Sequence, residues 1–324
     1  MKTRLAISAL IGFASGLICW LMHLGPRAVD FGWSLQAAHD LALGHNPYGY
    51  ALPGTIPYPV PAAGFALPFL WLWTNPKLAG ALFFGASSAI LAFGLSRSSY
   101  DRLLVFLACP YWMAMMTVQW SPLVMAGALF PTLLPAALAK PQIGLPIILT
   151  HWSRRGILAC AALAAVSLLI MPSWPLRWFS QLGGFQNYIP MLSFPGPLLL
   201  LGLCLGDEAD AHLLLLTSLM PQHWFYDTFI LWLIPKSRSE ILATVCMSWG
   251  VVLWWPQFGI AHYSSALGSM AVLWIYLPML ALLLLRSVVS SDSPTLAVHP
   301  PSWPLRTFQL TRAYGNLDAP GRRT

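Results

Sequence analysis

"LLVFLACPYWMAMMTVQWSPLVMAGALFPTLLPAALAKPQIGLPIIL", residues 103–149, carries one charged side chain, Lys140, and six prolines. Soluble domains place a charge at about every fourth position, so a stretch this long and apolar belongs in a membrane. The prolines deny it to one continuous helix, because each removes a backbone donor and clashes with the preceding turn. In lipid, a broken helix is tolerated only where protein or a water-filled cavity meets the freed backbone groups. The pattern therefore predicts several broken helices around a cavity rather than a simple anchor.

The rest of the chain reads the same way. Of 324 residues, 57% are hydrophobic and 8% charged, with a mean hydropathy of +0.66. The residue-by-residue alternation of a transmembrane β-barrel is missing. Apolar stretches at 5–24, 62–73, 78–95, 103–118, 122–138, 143–152, 157–171, 190–206, 211–235, 241–256 and 266–286 predict an all-α polytopic membrane protein. Some stretches are too short to cross, so the expected total is about nine to eleven transmembrane helices. Residues 1–286 form the membrane unit, with 25–60 as the first extracytoplasmic loop, and 287–324 read as a flexible cytoplasmic tail.

The net charge of +7 is read by position. Lys2 and Arg4 precede the first span, which is expected to be uncleaved, and they place the N-terminus in the cytoplasm of an inner-membrane protein. Lys236, Arg238 and Arg286 can share that side, whereas Arg97 and Arg102 fall outside on the same count. Arg306, Arg312, Arg322 and Arg323 in the tail suit anionic lipid. Basic side chains are not interleaved with stacking aromatics, so a nucleic-acid partner is not expected. The five cysteines lie in apolar surroundings without a CxxC pair and read as small buried hydrophobes.

In the first loop, Asp30 precedes a short helix expected from Ser34 to Leu43. On it Leu35, Ala38, Leu41 and Ala42 share one face, with Gln36, His39 and Asp40 towards the other, as in a helix lying at the membrane interface. Tyr48, Tyr50 and Tyr58 suit the headgroup level, where the hydroxyl stays wet. Local spacing leaves two readings for Asp30: a solvated loop carboxylate that starts a helix, or a general base at a cavity mouth.

Asp30-Phe31, an Ala-rich helix, "LGHNPY" (43–48) and "YPVP" (58–61) together resemble the first extracytoplasmic loop of the integral-membrane GT-C glycosyltransferases. The likeness is greatest to the branch that uses polyprenyl-phosphate-linked mannose. "VQWSPLVMAG" (118–127) is similar to that branch's G-Q-x-N-x-L segment, with Val118 in place of Gly and Ser121 in place of Asn. "AALAKPQIGLPIIL" (136–149) matches its K-P-Q segment, and "LMPQHWFYD" (219–227) resembles a later P-x-x-W-x-H/Y segment. The resemblance runs in order over residues 1–235.

The resemblance implies a GT-C-like helical bundle, with Asp30 as the catalytic base that deprotonates an acceptor hydroxyl. The acceptor would be a glycolipid, polysaccharide or protein. The donor would be a polyprenyl-phosphate-linked hexose, with mannose the expected sugar. Lys140 would meet the departing phosphate; alternatively it is a Lys snorkelling at a span end. Gln119 and Gln142 would bond sugar hydroxyls or act as polar glue between helices. His223 and Tyr226 would bind donor phosphate and Trp224 would stack on a sugar, although a lone His with a satisfied hydrogen bond is the commoner case. Asp227 is a rival base, or the partner of a basic residue. Arg177, Trp178 and Tyr188 would stand at the acceptor entrance. No cofactor or metal is expected, because the densest acidic cluster, Asp207, Glu208 and Asp210, falls in a joint on the cytoplasmic side. A chain this short for the superfamily suggests lost spans, a partner subunit or a degenerate member. The alternative is a transporter or lipid flippase, which also needs broken helices but commonly shows an internal repeat.

Overall fold

The computed structural model describes residues 1–22, 29–49, 57–182, 187–206, 208–253 and 265–291. Tyr50, Asp207 and the four tail arginines lie outside them. The described residues form helices joined by turns, with one isolated antiparallel bridge between Tyr188 and Gln222.

The first helix, α1 (Lys2–Met22), lies against α4 (Pro76–Leu95). Small residues bring the two backbones together: a Cβ added at Gly85 would stand 2.8 Å from the Gly12 carbonyl oxygen. One added at Gly12 would stand 2.5 Å from the Ala89 Cβ. This is how membrane helices associate where apolar side chains gain nothing by leaving lipid. The other side of α1 exposes Leu5, Leu10, Phe13, Trp20 and Leu21.

Between these elements, α2 (Val29–Ala42) packs on α3 (Pro61–Ala66) and its 3₁₀ extension Leu67–Leu72. It was expected to lie at an interface with one polar face, and the structure corrects this. Phe31, Trp33, Leu35 and Ala38 are buried, and so is Asp40, whose carboxylate accepts from Gln36 Nε2 at 2.9 Å. The helix is enclosed because Phe31 stacks on Phe83 at 4.2 Å and meets Phe69 edge-on at 5.6 Å. Tyr48 and Tyr58 are also buried rather than wet; the Tyr48 hydroxyl donates to the Tyr58 carbonyl at 2.8 Å.

The expectation of nine to eleven crossings is not met. Among the described residues three helices, Lys2–Met22, Pro76–Leu95 and Ala266–Val289, are long and apolar enough to cross a membrane. A fourth crossing arises if α8 (Arg154–Ile170) and α9 (Trp174–Gln181), bent by 92°, count as one. Proline is the physical reason. The stretch 103–149 becomes α5 (Cys109–Met116), α6 (Ser121–Leu129), a 3₁₀ segment Pro131–Leu138 and α7 (Pro141–Thr150), each with Pro in its first turn. Ten residues of helix rise only about 15 Å, half of a hydrocarbon core of about 30 Å. Two of the broken pieces are enclosed by protein, since Ser121–Gly127 and Phe225–Leu233 are buried throughout, whereas α7 exposes Leu145 and Leu149.

The apolar run expected at 211–235 breaks at Pro221, into α10 (Ala209–Leu219) and the 3₁₀ segment Phe225–Leu233. After α11 (Arg238–Ser248), the last helix α12 begins as Ser265–Ala271, passes a π-turn at Val272–Tyr276 and ends as Leu277–Ser291. It runs past the boundary placed at residue 286. At this end Asp210 pairs with Lys236 at 3.0 Å and Arg286 at 3.4 Å, while Glu240 meets Arg286 at 2.5 Å. Arg102 donates to the Pro235 carbonyl at 2.9 Å. Cys19, Cys109 and Cys160 are buried as expected, whereas Cys204 and Cys246 are exposed beside the outward-facing Leu203 and Met247.

Candidate functional site

Asp30 is the second residue of α2, and its backbone N–H donates to the Thr117 carbonyl at 3.4 Å. That bond ties the start of α2 to the joint between α5 and α6, where Val118 adopts φ +52°. A β-branched residue at positive φ is a genuine backbone outlier, and here it has a visible consequence. It turns the chain so that the Gln119 amide donates through Nε2 to Asp30 Oδ2. The Gln119 Oε1 accepts from Lys140 Nζ at 2.5 Å.

Lys140 is the residue immediately before α7 and is 2% exposed. Its ammonium stands 2.6 Å from Asp227 Oδ1 and lies over the Tyr226 ring, 4.7 Å from the centroid. The Tyr226 hydroxyl in turn donates to Asp30 Oδ2 at 3.4 Å. Three stretches far apart in sequence thus close one buried ring of polar groups: Asp30, Gln119, Lys140, Asp227 and Tyr226. Burying a charge is costly unless it is paired and hydrogen-bonded, and Lys140 is both. The structure removes the snorkelling alternative for it. Gln119 bridges two charged side chains rather than two apolar helices.

A cavity of about 330 Å³ opens onto this ring. Asp30, Lys140, Gln142, His223 and Tyr226 border it with Tyr58, Pro59, Leu145, Trp178, Phe179 and Met220. Charge and hydrogen-bonding groups therefore gather on walls that are otherwise apolar, as is usual for ligand sites. Gln119 and Asp227 stand behind the lining. Trp224 does not border the cavity; it packs edge-on against Phe225 at 5.6 Å and Tyr226 at 5.7 Å. Of the three entrance residues, Trp178 is at the cavity, donating to the Pro57 carbonyl at 3.1 Å. Arg177 is exposed and bonded to Ser173. Tyr188 is buried, and its backbone exchanges hydrogen bonds with Gln222 at 2.9 and 2.8 Å.

That exchange holds the Pro221–His223 joint in place, and sequence reasoning missed it. Gln222 is fully buried and donates to the Thr217 carbonyl at 3.0 Å and to the Tyr276 hydroxyl. A polar residue beside a proline break was the available signal. Tyr58 was also misread. Burial, and then the negative charges of Asp30 and Asp227, push its hydroxyl well above its ordinary pKa, so it stays protonated at neutral pH. Among the described residues, no three His, Cys, Asp or Glu side chains are grouped to hold a metal. Neither a protein-family model, nor a curated protein, nor a solved structure matches this chain.

Proposed function

We propose that this protein is an inverting glycosyltransferase of the membrane-embedded GT-C type. It moves a hexose, mannose on the resemblance, from a polyprenyl-phosphate donor to an acceptor hydroxyl on the extracytoplasmic face, with the N-terminus in the cytoplasm. The observation that carries this reading is the convergence of Asp30, Lys140, Gln142, His223 and Tyr226 on one cavity. They come from three of the segments whose order suggested the family, and nothing in their sequence spacing requires them to meet.

The chemistry follows from the placement. Asp30 takes the proton of the acceptor hydroxyl as its oxygen attacks the anomeric carbon. The bond from that carbon to the phosphate oxygen breaks, and the electron pair leaves with the phosphate. Lys140 faces the charge that develops there, in surroundings where a fixed cation acts far more strongly than in water. Gln119 and Tyr226 both donate to Asp30 Oδ2, and the Tyr58 hydroxyl is hydrogen-bonded to the same carboxylate. The apolar walls suit the lipid portion of a donor. Acceptor identity is left to the assay.

The test is transfer of label from radiolabelled polyprenyl-phosphate-mannose to a total lipid extract by the detergent-purified chain, wild type against Asp30→Asn. Transfer that falls by about 10²-fold or more in the variant supports the base and the reaction class together. Equal transfer by both removes Asp30 from the mechanism. A transporter or flippase would move its cargo in both forms and transfer no label.

A further inference from the structure

Lys140 borders the cavity, but its charge is already matched from behind. Asp227 is fully buried and does not border the cavity. Its Oδ1 lies 2.6 Å from the ammonium and has no hydrogen-bond partner besides that ion pair. Its Oδ2 receives only a long bond of 3.4 Å from the His223 backbone N–H. Asp227 therefore depends on Lys140 for almost all its compensation, and a carboxylate so placed attracts the cation strongly. Lys140 donates its hydrogen bond to Gln119 Oε1 while its charge is matched by Asp227. The ring holds two carboxylates and one ammonium, an excess of one negative charge. An anion entering the cavity meets a cation whose field is largely cancelled.

Taken with the function proposed above, on which this inference rests, the arrangement has a use. A site that faced a lipid phosphate with an unmatched ammonium would hold the departing product as firmly as the transition state. Tight binding of both ground states and transition state lowers KM without raising kcat. We propose that Asp227 is a positioning residue that competes with the lipid phosphate for Lys140 and so keeps product affinity low. The donor diester already carries one negative charge and the released monoester carries more, so competition from Asp227 weakens the hold of Lys140 on both and keeps the product from being trapped there.

The sign of the effect separates this role from a structural one. A residue that merely holds the site together weakens ligand binding when it is removed; Asp227 should strengthen it. The experiment titrates the detergent-solubilised full chain with a polyprenyl monophosphate, followed by tryptophan fluorescence, with the uncharged polyprenol as control. Wild type is expected to prefer the phosphate modestly. Asp227→Asn, which keeps the shape and an oxygen for Lys140, is expected to bind the phosphate at least about tenfold more tightly with the alcohol unchanged. Lys140→Met should lose the preference for phosphate over alcohol. Where the Asn variant does not purify as a single species, Asp227→Ser, with room for a water on Lys140, carries the same expectation. Phosphate affinity that is unchanged or weaker in the Asp227 variants overturns the proposal while leaving the donor reading intact. An absence of any phosphate preference in wild type and variants overturns both.

Discussion

Val118 offers a test in which the usual gap between two substitutions closes. Its φ of +52° lies in the left-handed region, which costs an L-residue about 1–2 kcal/mol. Its side chain is 1% exposed, so replacing it by Ala removes buried methyl groups at about 0.8 kcal/mol each and keeps the strain. Replacement by Gly loses one carbon more but releases the strain, at a backbone entropy cost of about 0.5–1 kcal/mol. At an ordinary helical or extended position Ala is the more stable of the two. Here the released strain roughly offsets the lost carbon and the entropy, so Val118→Gly should lie within about 1 kcal/mol of Val118→Ala, while both fall below wild type. Thermal unfolding in detergent, read by the protein's 16 tryptophans, should place the Gly variant within about 2 °C of the Ala variant. A Gly variant lower than the Ala variant by about 4 °C or more, as at an ordinary position, would refute the left-handed geometry. It would also remove the account of how Gln119 is aimed at Asp30 and Lys140.

Other consequences follow from the same contacts. Lys140→Met leaves the Asp227 carboxylate buried and unpaired and should cost about 3–5 kcal/mol. The double variant Lys140→Met/Asp227→Leu should recover most of that in the same melts, and a double variant no better than the single would deny the pairing. Gly85→Ala places a methyl against the Gly12 carbonyl oxygen and should lose about 1–3 kcal/mol. Gly64→Ala meets only the Leu163 Cδ1 at 3.7 Å and should be neutral or stabilising, so equal effects would contradict the close packing of α1 on α4. The hydrogen bond from Arg286, followed by the backbone N–H groups of Ser237 and Lys236, draws the Glu240 carboxyl down from 4.5 to about 2 against the opposing effect of burial. A depressed folded value means that the contribution is whole above about 4.5 and is lost as pH falls towards 2. The melting temperature should decline through that window more steeply in wild type than in Glu240→Gln; parallel slopes would dissociate Glu240 from acid stability.

The class of fold was legible because it rests on composition, and its crossing number was not. A hydropathy count treats 103–118, 122–138 and 143–152 as spans of similar standing. Pro110, Pro122, Pro131 and Pro141 each begin a new short helix instead. The prolines were visible, but whether a broken piece crosses or stays enclosed depends on what packs around it. The polar ring was legible only in part for the same reason. Lys140 stood out as a lone charge in apolar sequence, and Asp227 read either as a rival base or as the partner of a basic residue. That each was the other's partner is a tertiary fact, since 87 positions separate them.

The two carboxylates of the first joint make the distinction sharpest. Asp30 and Asp40 lie on the same helix, both are buried, and both have a glutamine partner. For Asp40 the partner is Gln36, one turn earlier on α2, so this pairing comes with helix geometry alone. For Asp30 the partner is Gln119, delivered by a strained joint at Val118 that also presents Lys140's other acceptor. A carboxylate satisfied within its own helix can be moved with that helix and keep its environment. Asp30 has its environment only when α2, the α5–α6 joint, the start of α7 and the Pro221 break are all in place. A group used as a base must take up and release a proton in a fixed surrounding, and only the second arrangement makes that surrounding a property of the whole fold. Replacing Gln36 should therefore disturb α2 and leave Asp30 untouched, whereas replacing Gln119 reaches Asp30 and Lys140 at once.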